Sequence, residues 1–392
     1  MDYERLLTKQ AKEMRPSGIR KFFDLVAEMP ECISLGVGEP DFQTPWDIRD
    51  AAINSLERGR TKYTANAGLK GLREEICRYV HRKYNIPAQM DEVFVTVGGS
   101  EAIDLAIRAL VGPGDEVIIC EPCYVSYEPI TTLTGGVPVH ITTREENDFR
   151  VQAEEIEAAI TERTKMLVLA YPNNPTGAVL RHEDLEAIAE VVKKHDIIVL
   201  SDEIYAELVY NGRHESIASL PGMYERTITI NGFSKAFSMT GWRLGYAVGP
   251  KPIMDVMIKI HQSCIMAAPT TSQYAGIVAL RDCDDDVEHM RREYDIRRKY
   301  CVRKLNEMGL HTFEPFGAFY VFPDISSSGM SSDDFCAKLL ERKHVAIVPG
   351  TAFGDCGEGF ARISYAYSID HLREAMKRIE EFLKELKEEK NS

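Results

Sequence analysis

TITINGFSKAFSMTGWRLGYAVGP, residues 227–250, holds two charges, Lys235 and Arg243, both positive. The chain is 28% charged overall, so a stretch of this length would ordinarily carry about seven. The rest of the segment reads as buried. A buried cation is costly unless it is paired, neutralised or used in chemistry. No acidic residue stands close by in sequence, so its partner must come from elsewhere.

Outward from this stretch, short apolar runs alternate with helical periodicity. EVFVTV (92–97) leads into a helix from Ser100 with Ile103, Ile107 and Leu110 on one face. EVIIC (116–120), VPVHIT (137–142), KMLVLAY (165–171) and IIVLSD (197–202) follow, the last after HEDLEAIAEVVKKH, whose Leu185, Ile188, Ala189 and Val192 fall at helical spacing. With TITING (227–232) and LGYAVG (244–249) this makes seven strands. Near-continuous apolar strands separated by helices predict an α/β domain with a mostly parallel sheet covered on both faces. After about residue 290 the style changes to a charged helical stretch, short strands in GAFYVF, HVAIVPG and FARISYA, and a helix from Asp370. The expectation is a large domain over 46–290 and a smaller α+β domain from 1–45 with 291–392.

Ligands of open α/β sheets bind beyond the carboxyl ends of the strands. Here those ends carry Gly98-Gly99-Ser100, Glu121-Pro122-Cys123-Tyr124, Asn173-Asn174, Asp202-Glu203-Ile204-Tyr205 and Ser234-Lys235. Each has a plain reading alone: a tight turn, a loop, turn chemistry, a helix cap, a snorkelling lysine. Together they offer free N–H groups for an anion, an aromatic, an asparagine, a buried carboxylate and a buried lysine. That set matches the needs of a pyridoxal phosphate enzyme, a lysine for the Schiff base and an acid for the pyridine nitrogen.

The bulk numbers agree. The chain has 392 residues, 44% hydrophobic, and a net charge of −14, which disfavours nucleic acid but permits one phosphorylated ligand in a local positive pocket. Nine cysteines in a long chain fit reduced thiols, and the charged start MDYERLLTKQAKEMR does not read as a secretory signal, so the expected location is the cytoplasm. No apolar run is long enough for a membrane span.

GFSKAFSMTGWRLG (232–245) resembles the pyridoxal-phosphate attachment signature of the class I and II aminotransferases, of fold type I. SLGVGEPDF (34–42), TKYTANAGLKGLREEI (61–76), VGGSEAIDLAIRAL (97–110), YPNNPTGAVL (171–180), SDEIY (201–205), FGAFYVFP (316–323), VAIVPGTAFG (345–354) and ARISYA (361–366) carry the resemblance across nearly the whole chain.

The resemblance implies roles by position. Lys235 is the lysine that binds the cofactor covalently and moves the substrate α-proton, and Arg243 pairs with the phosphate. The cofactor is then the anionic partner that the opening stretch lacks. Asp202 holds the pyridine nitrogen protonated, while Tyr205 and Asn174 bond the 3′ oxygen and Tyr124 stacks on the ring. Gly99, Ser100 and Ser234 contact the phosphate; Gly232 stands where many relatives have a serine, so one such bond is lost or replaced. Tyr63 reaches the phosphate from a neighbouring subunit, which implies a homodimer with shared sites. Arg362 takes the substrate α-carboxylate and Gly38 lies against it. SGIRKFF (17–23) covers the active site in relatives, which places Ile19 or Arg20 at the substrate; its plain reading is a helix start.

Other signals are weaker. Cys120 and Cys123 form a lone C-x-x-C, better read as a loop than a zinc or redox site; no metal is expected. GVGEPD lacks the third glycine of a dinucleotide fingerprint. Asp282 to Asp286 reads as a solvated turn. The activity implied is ping-pong transfer of an amino group from an L-amino acid to a 2-oxo acid. Within the family the chain most resembles the prokaryotic aspartate and aromatic aminotransferases, and MYERTITINGFSK with MRREYDIRRK is similar to the aromatic members, which implies aromatic donors or glutamate with 2-oxoglutarate as acceptor. Aspartate, alanine or an acylated diaminopimelate remain alternatives, as do a carbon–sulfur β-lyase, a decarboxylase and a non-catalytic regulator on the same scaffold.

Overall fold

The computed structural model describes residues 1, 3–14, 29 and 31–391; Ile19 and Arg20 lie outside the described residues. Seven strands form one sheet: β2 (Val93–Thr96), β3 (Glu116–Glu121), β4 (Val137–Thr142), β5 (Thr164–Ala170), β6 (Ile198–Asp202), β7 (Thr227–Gly232) and β8 (Gly245–Val248). β1 (Ile33–Ser34) stands apart. The order is β2-β8-β7-β6-β5-β3-β4, and β8 alone runs opposite to the other six strands. This is the expected α/β architecture with a mostly parallel sheet.

Both faces are packed because successive side chains on a strand point to opposite sides. Val117 and Ile119 of β3 join a core with Ile103 and Ile107 of the helix Gly98–Leu110 and Met254 and Met257 of the helix Lys251–Cys264. Ile118 and Cys120, the alternate residues, join Leu185, Ile188 and Val192 of the helix His182–His195. Within the opening stretch, Ile228 and Ile230 are fully buried. Each such side chain contributes about 1.5–3 kcal/mol on leaving water; with Leu244 and Ala247 buried as well, the stretch is anchored on both sides of its lysine.

The C-terminal strands are shorter than the apolar runs that announce them. β9 (Tyr320–Val321), β12 (Ala361–Ser364) and β11 (Val348–Pro349) form a three-stranded antiparallel sheet, and β10 (Val345–Ala346) pairs in parallel with β1. Residue 290 falls inside the helix Asp284–Glu307. The acidic run is no turn: Asp282 ends one helix, Cys283 joins, and Asp284, Asp285 and Asp286 form the first turn of the next. Carboxylates are favoured at that positive end of the helix dipole, and Asp284 also pairs with Lys83 at 3.2 Å and with Arg82. Among the described residues, no helix is long and apolar enough to cross a membrane.

Candidate active site

Parallel strands end on one edge of the sheet, and β8, running the other way, begins there. That reversal brings Arg243, two residues before β8, to the edge where Lys235 leaves β7. A cavity of about 340 Å³ opens at this edge. It is lined by Gly38, Gly99, Ser100, Tyr124, Asn174, Asp202, Tyr205, Ser234, Lys235, Arg243 and Arg362 together. Of the residues singled out in the sequence, Tyr63 does not line it and is 84% exposed.

Asp202 ends β6 with its side chain buried. It accepts from the Tyr127 hydroxyl at 2.7 Å and from the Ile204 N–H at 3.2 Å. Burial pushes its carboxyl above the usual range, while the Tyr127 bond pulls the other way. Lys235 Nζ donates to the Gly38 carbonyl at 2.6 Å. Burial lowers its pKa from 10.5 to about 8, with Arg362 and Arg243 adding to the effect and Glu39 opposing it. A lysine so placed is a neutral amine over a range where an exposed one is charged.

Arg362, in β12, is almost fully buried. Its Nη1 donates to Asn174 Oδ1 at 2.8 Å and its Nη2 to the Gly36 carbonyl, with the guanidinium 4.5 Å from the Tyr320 ring centre. Its buried Nε has no hydrogen-bond partner among the described residues. Tyr205 and Tyr320 share a hydroxyl–hydroxyl bond of 2.7 Å, and burial raises both.

The Gly98–Leu110 helix opens on Gly98 at φ +75°, a conformation that suits glycine. A Cβ at Gly98 would meet Arg243 Nη2 at 2.7 Å, and one at Gly245 would meet the Gly98 carbonyl carbon at 2.5 Å. The turn is thus clamped by backbone on one side and a guanidinium on the other. The first N–H groups of a helix have no partner within it, so this clamped turn with Arg243 beside it can receive an anion. Gly232 has no room to spare: a Cβ there would lie 3.1 Å from the Leu244 carbonyl.

Tyr127, Tyr320 and Thr240 also line the cavity, and sequence reading gave them no role. Tyr127 stands three residues beyond Tyr124, and Tyr320 lies in the quoted FGAFYVFP; neither position announces which hydroxyl turns inward. The C-x-x-C thiols are buried, and burial raises Cys120 to about 12 and pushes Cys123 up as well, opposite to the thiolate character redox chemistry needs. Glu121, Glu128 and His140 place three donor atoms within 4.8 Å of one another beside a second cavity, where Glu121 already holds His140 Nδ1 at 2.9 Å.

Residues 30–379 match the family Aminotransferase class I and II. The chain is 48% identical to an aspartate aminotransferase of Pyrococcus abyssi, covering 95% of this chain and 97% of that protein. It is 45% identical to aromatic-amino-acid aminotransferase 2 of Thermococcus litoralis, covering 97% and 99%. The crystal structure of an aromatic aminotransferase from Pyrococcus horikoshii superposes with a TM-score of 0.90 at 46% identity, covering 94% of this chain and 99% of that one. The chain therefore belongs to the class I and II aminotransferases, transaminase enzymes of fold type I.

Proposed function

We propose that this aminotransferase is a pyridoxal 5′-phosphate enzyme that transfers the amino group of an L-amino acid, aromatic or glutamate, to a 2-oxo acid such as 2-oxoglutarate by a ping-pong mechanism. The observation that carries the reading is the meeting of Lys235, Asp202 and Arg362 in one cavity. The residues fit the cofactor. The clamped turn at Gly99 and Ser100, with Ser234 and Arg243, suits a phosphate. Asp202, whose carboxyl burial raises, gains a cationic partner in a protonated pyridine nitrogen. Tyr124 would lie against the ring, and Tyr205 and Asn174 would donate to the 3′ oxygen. Bound there, the cofactor supplies an electron sink for the substrate α-carbon.

The side chains do the rest. Arg362 grips the α-carboxylate with a planar fork, its orphaned Nε taking part, while the Gly38 backbone limits how the substrate sits. Lys235 Nζ, freed from the Gly38 carbonyl, removes the α-proton and holds it. Ile19 belongs at the substrate in this reading. Val37, Ile103, Tyr124 and Tyr320 add apolar and aromatic wall, in keeping with an aromatic donor. Aspartate is the second reading, favoured by the Pyrococcus abyssi relative.

The enzyme would work as a homodimer in the cytoplasm. Tyr63, Trp46, Ile53 and Leu56 are exposed, as a second copy reaching the site would require, and all nine cysteines are free thiols. We place the cofactor domain in 46–290 and a smaller domain in 1–45 with 291–392, in keeping with the pairing of β1 and β10.

The test is to load the protein with cofactor and offer single amino acids without an acceptor. Aromatic donors and glutamate should each yield up to one 2-oxo acid per chain. Yield from aspartate and glutamate alone would move the donor to aspartate. Continuous release of pyruvate with ammonia would overturn transfer in favour of a lyase.

A further inference from the structure

Glu101 lies one residue beyond the anion-receiving turn, and the proposed function gives it no task. Its Oε2 accepts from the Val97 N–H at 2.5 Å, reaching back past Gly98, Gly99 and Ser100 to the residue that precedes the helix. Its Oε1 lies 2.7 Å from His261 Nδ1. A carboxylate only accepts, so Nδ1 is the donor. His261 belongs to the helix Lys251–Cys264, is fully buried, and packs against the Phe94 ring at 5.8 Å between centres. Its Nε2 has no hydrogen-bond partner among the described residues. An imidazole in an apolar core at that cost calls for a reason.

The reason lies in the turn. Thr96 Oγ1 donates to the Gly98 carbonyl at 2.9 Å, the Gly245 backbone closes one side and Arg243 another. What remains is the rear. Glu101 closes it by taking the Val97 N–H, behind Gly99 and Ser100, which line the cavity. A carboxylate is also well placed at a helix N-terminus. His261 fixes which way that carboxylate points, because its own helix packs across the start of this one.

We infer that Glu101 and His261 are positioning residues for the phosphate end of the cofactor, acting through the Val97–Ser100 turn. The inference rests on the proposed cofactor. It separates from a merely structural role by one property: the pair bears on the phosphate and not on the ring.

The experiment compares pyridoxal 5′-phosphate with pyridoxal, which lacks the phosphate, by titrating full-length protein stripped of cofactor. His261→Leu and Glu101→Gln should each weaken pyridoxal 5′-phosphate binding by about tenfold or more, the scale of one charge-assisted hydrogen bond. Pyridoxal binding should change less than about twofold on that same scale. His261→Asn, which keeps a donor near Nδ1, should restore most of the affinity. Equal loss for both ligands, or no loss in either variant, overturns the inference while leaving the proposed function standing. Should His261→Leu fail to fold, Glu101→Gln alone decides. If the unaltered protein binds neither ligand, the proposed function falls and this inference with it.

Discussion

Arg362 donates to Asn174 Oδ1 at 2.8 Å across 188 residues of sequence. With the Gly36 carbonyl on Nη2 and Tyr320 and Phe353 rings about its plane, the guanidinium is held in one orientation before any carboxylate arrives. Arg362→Lys keeps a charge but loses the fork. Removing one partner of a buried charge pair costs about 2–5 kcal/mol, so kcat/KM for the best amino donor should fall by about 10²-fold or more while cofactor affinity stays within a factor of about two. Steady-state kinetics beside a cofactor titration would check it; equal loss in both would mean the arginine serves the fold.

The Tyr127–Asp202 bond predicts a catalytic effect from a residue outside the motif. Tyr127→Phe removes the hydrogen bond that opposes the upward push of burial on Asp202. A bond to a charged group is worth about 1.5–3 kcal/mol, so single-turnover formation of 2-oxo acid should slow by about tenfold or more. An unchanged rate would leave Asp202 independent of Tyr127.

Lys235 predicts a pH profile. Its pKa is lowered from 10.5 to about 8, so in cofactor-free protein the neutral amine appears as pH rises through about 8. Labelling of Lys235 by a small aldehyde with borohydride, read by mass spectrometry, should rise through that pH and level off above it. A midpoint near 10 would contradict the burial argument. The linkage has a matching sign. Between about 8 and 10.5 the unfolded chain binds a proton at this residue that the folded chain does not. Stability of the wild type relative to Lys235→Met should therefore increase with pH across that window.

Gly245 predicts a packing effect. A Cβ there would sit 2.5 Å from the Gly98 carbonyl carbon and 2.7 Å from the Gly99 nitrogen, backbone that has little freedom to move. Gly245→Ala should destabilise the protein by about 1–3 kcal/mol and weaken cofactor binding, since the Gly98–Gly99 turn must shift. Denaturant unfolding and the cofactor titration would check both; a stable variant with full affinity would show the turn to be more compliant than its contacts suggest.

Much of this was legible in advance because local patterns dictated it. Seven apolar runs became seven paired strands, and ordinary strand-end logic carried Asp202, Asn174 and Lys235 to one edge. Arg362 and Gly38 came only through resemblance, since nothing local says that β12 folds back to the edge of another sheet. Tyr127 and Tyr320 were invisible for a related reason: a tyrosine's partner is decided by packing, and many of this chain's 17 tyrosines sit in comparable apolar surroundings. The acidic run misled because a string of aspartates suits a solvated turn as well as a helix start, and only the helix on either side of Cys283 decides between them.

The parallel pairing of Ile33 with Val345 also bears on the order of synthesis. Contacts so distant in sequence form late, because the intervening loop must close first. A chain emerging from the ribosome has residues 98–245 available about a hundred residues before Val345 exists. The Gly98–Gly245 part of the site can thus assemble before Arg362 exists, so under the proposed function the phosphate end is built ahead of the group that takes the substrate carboxylate.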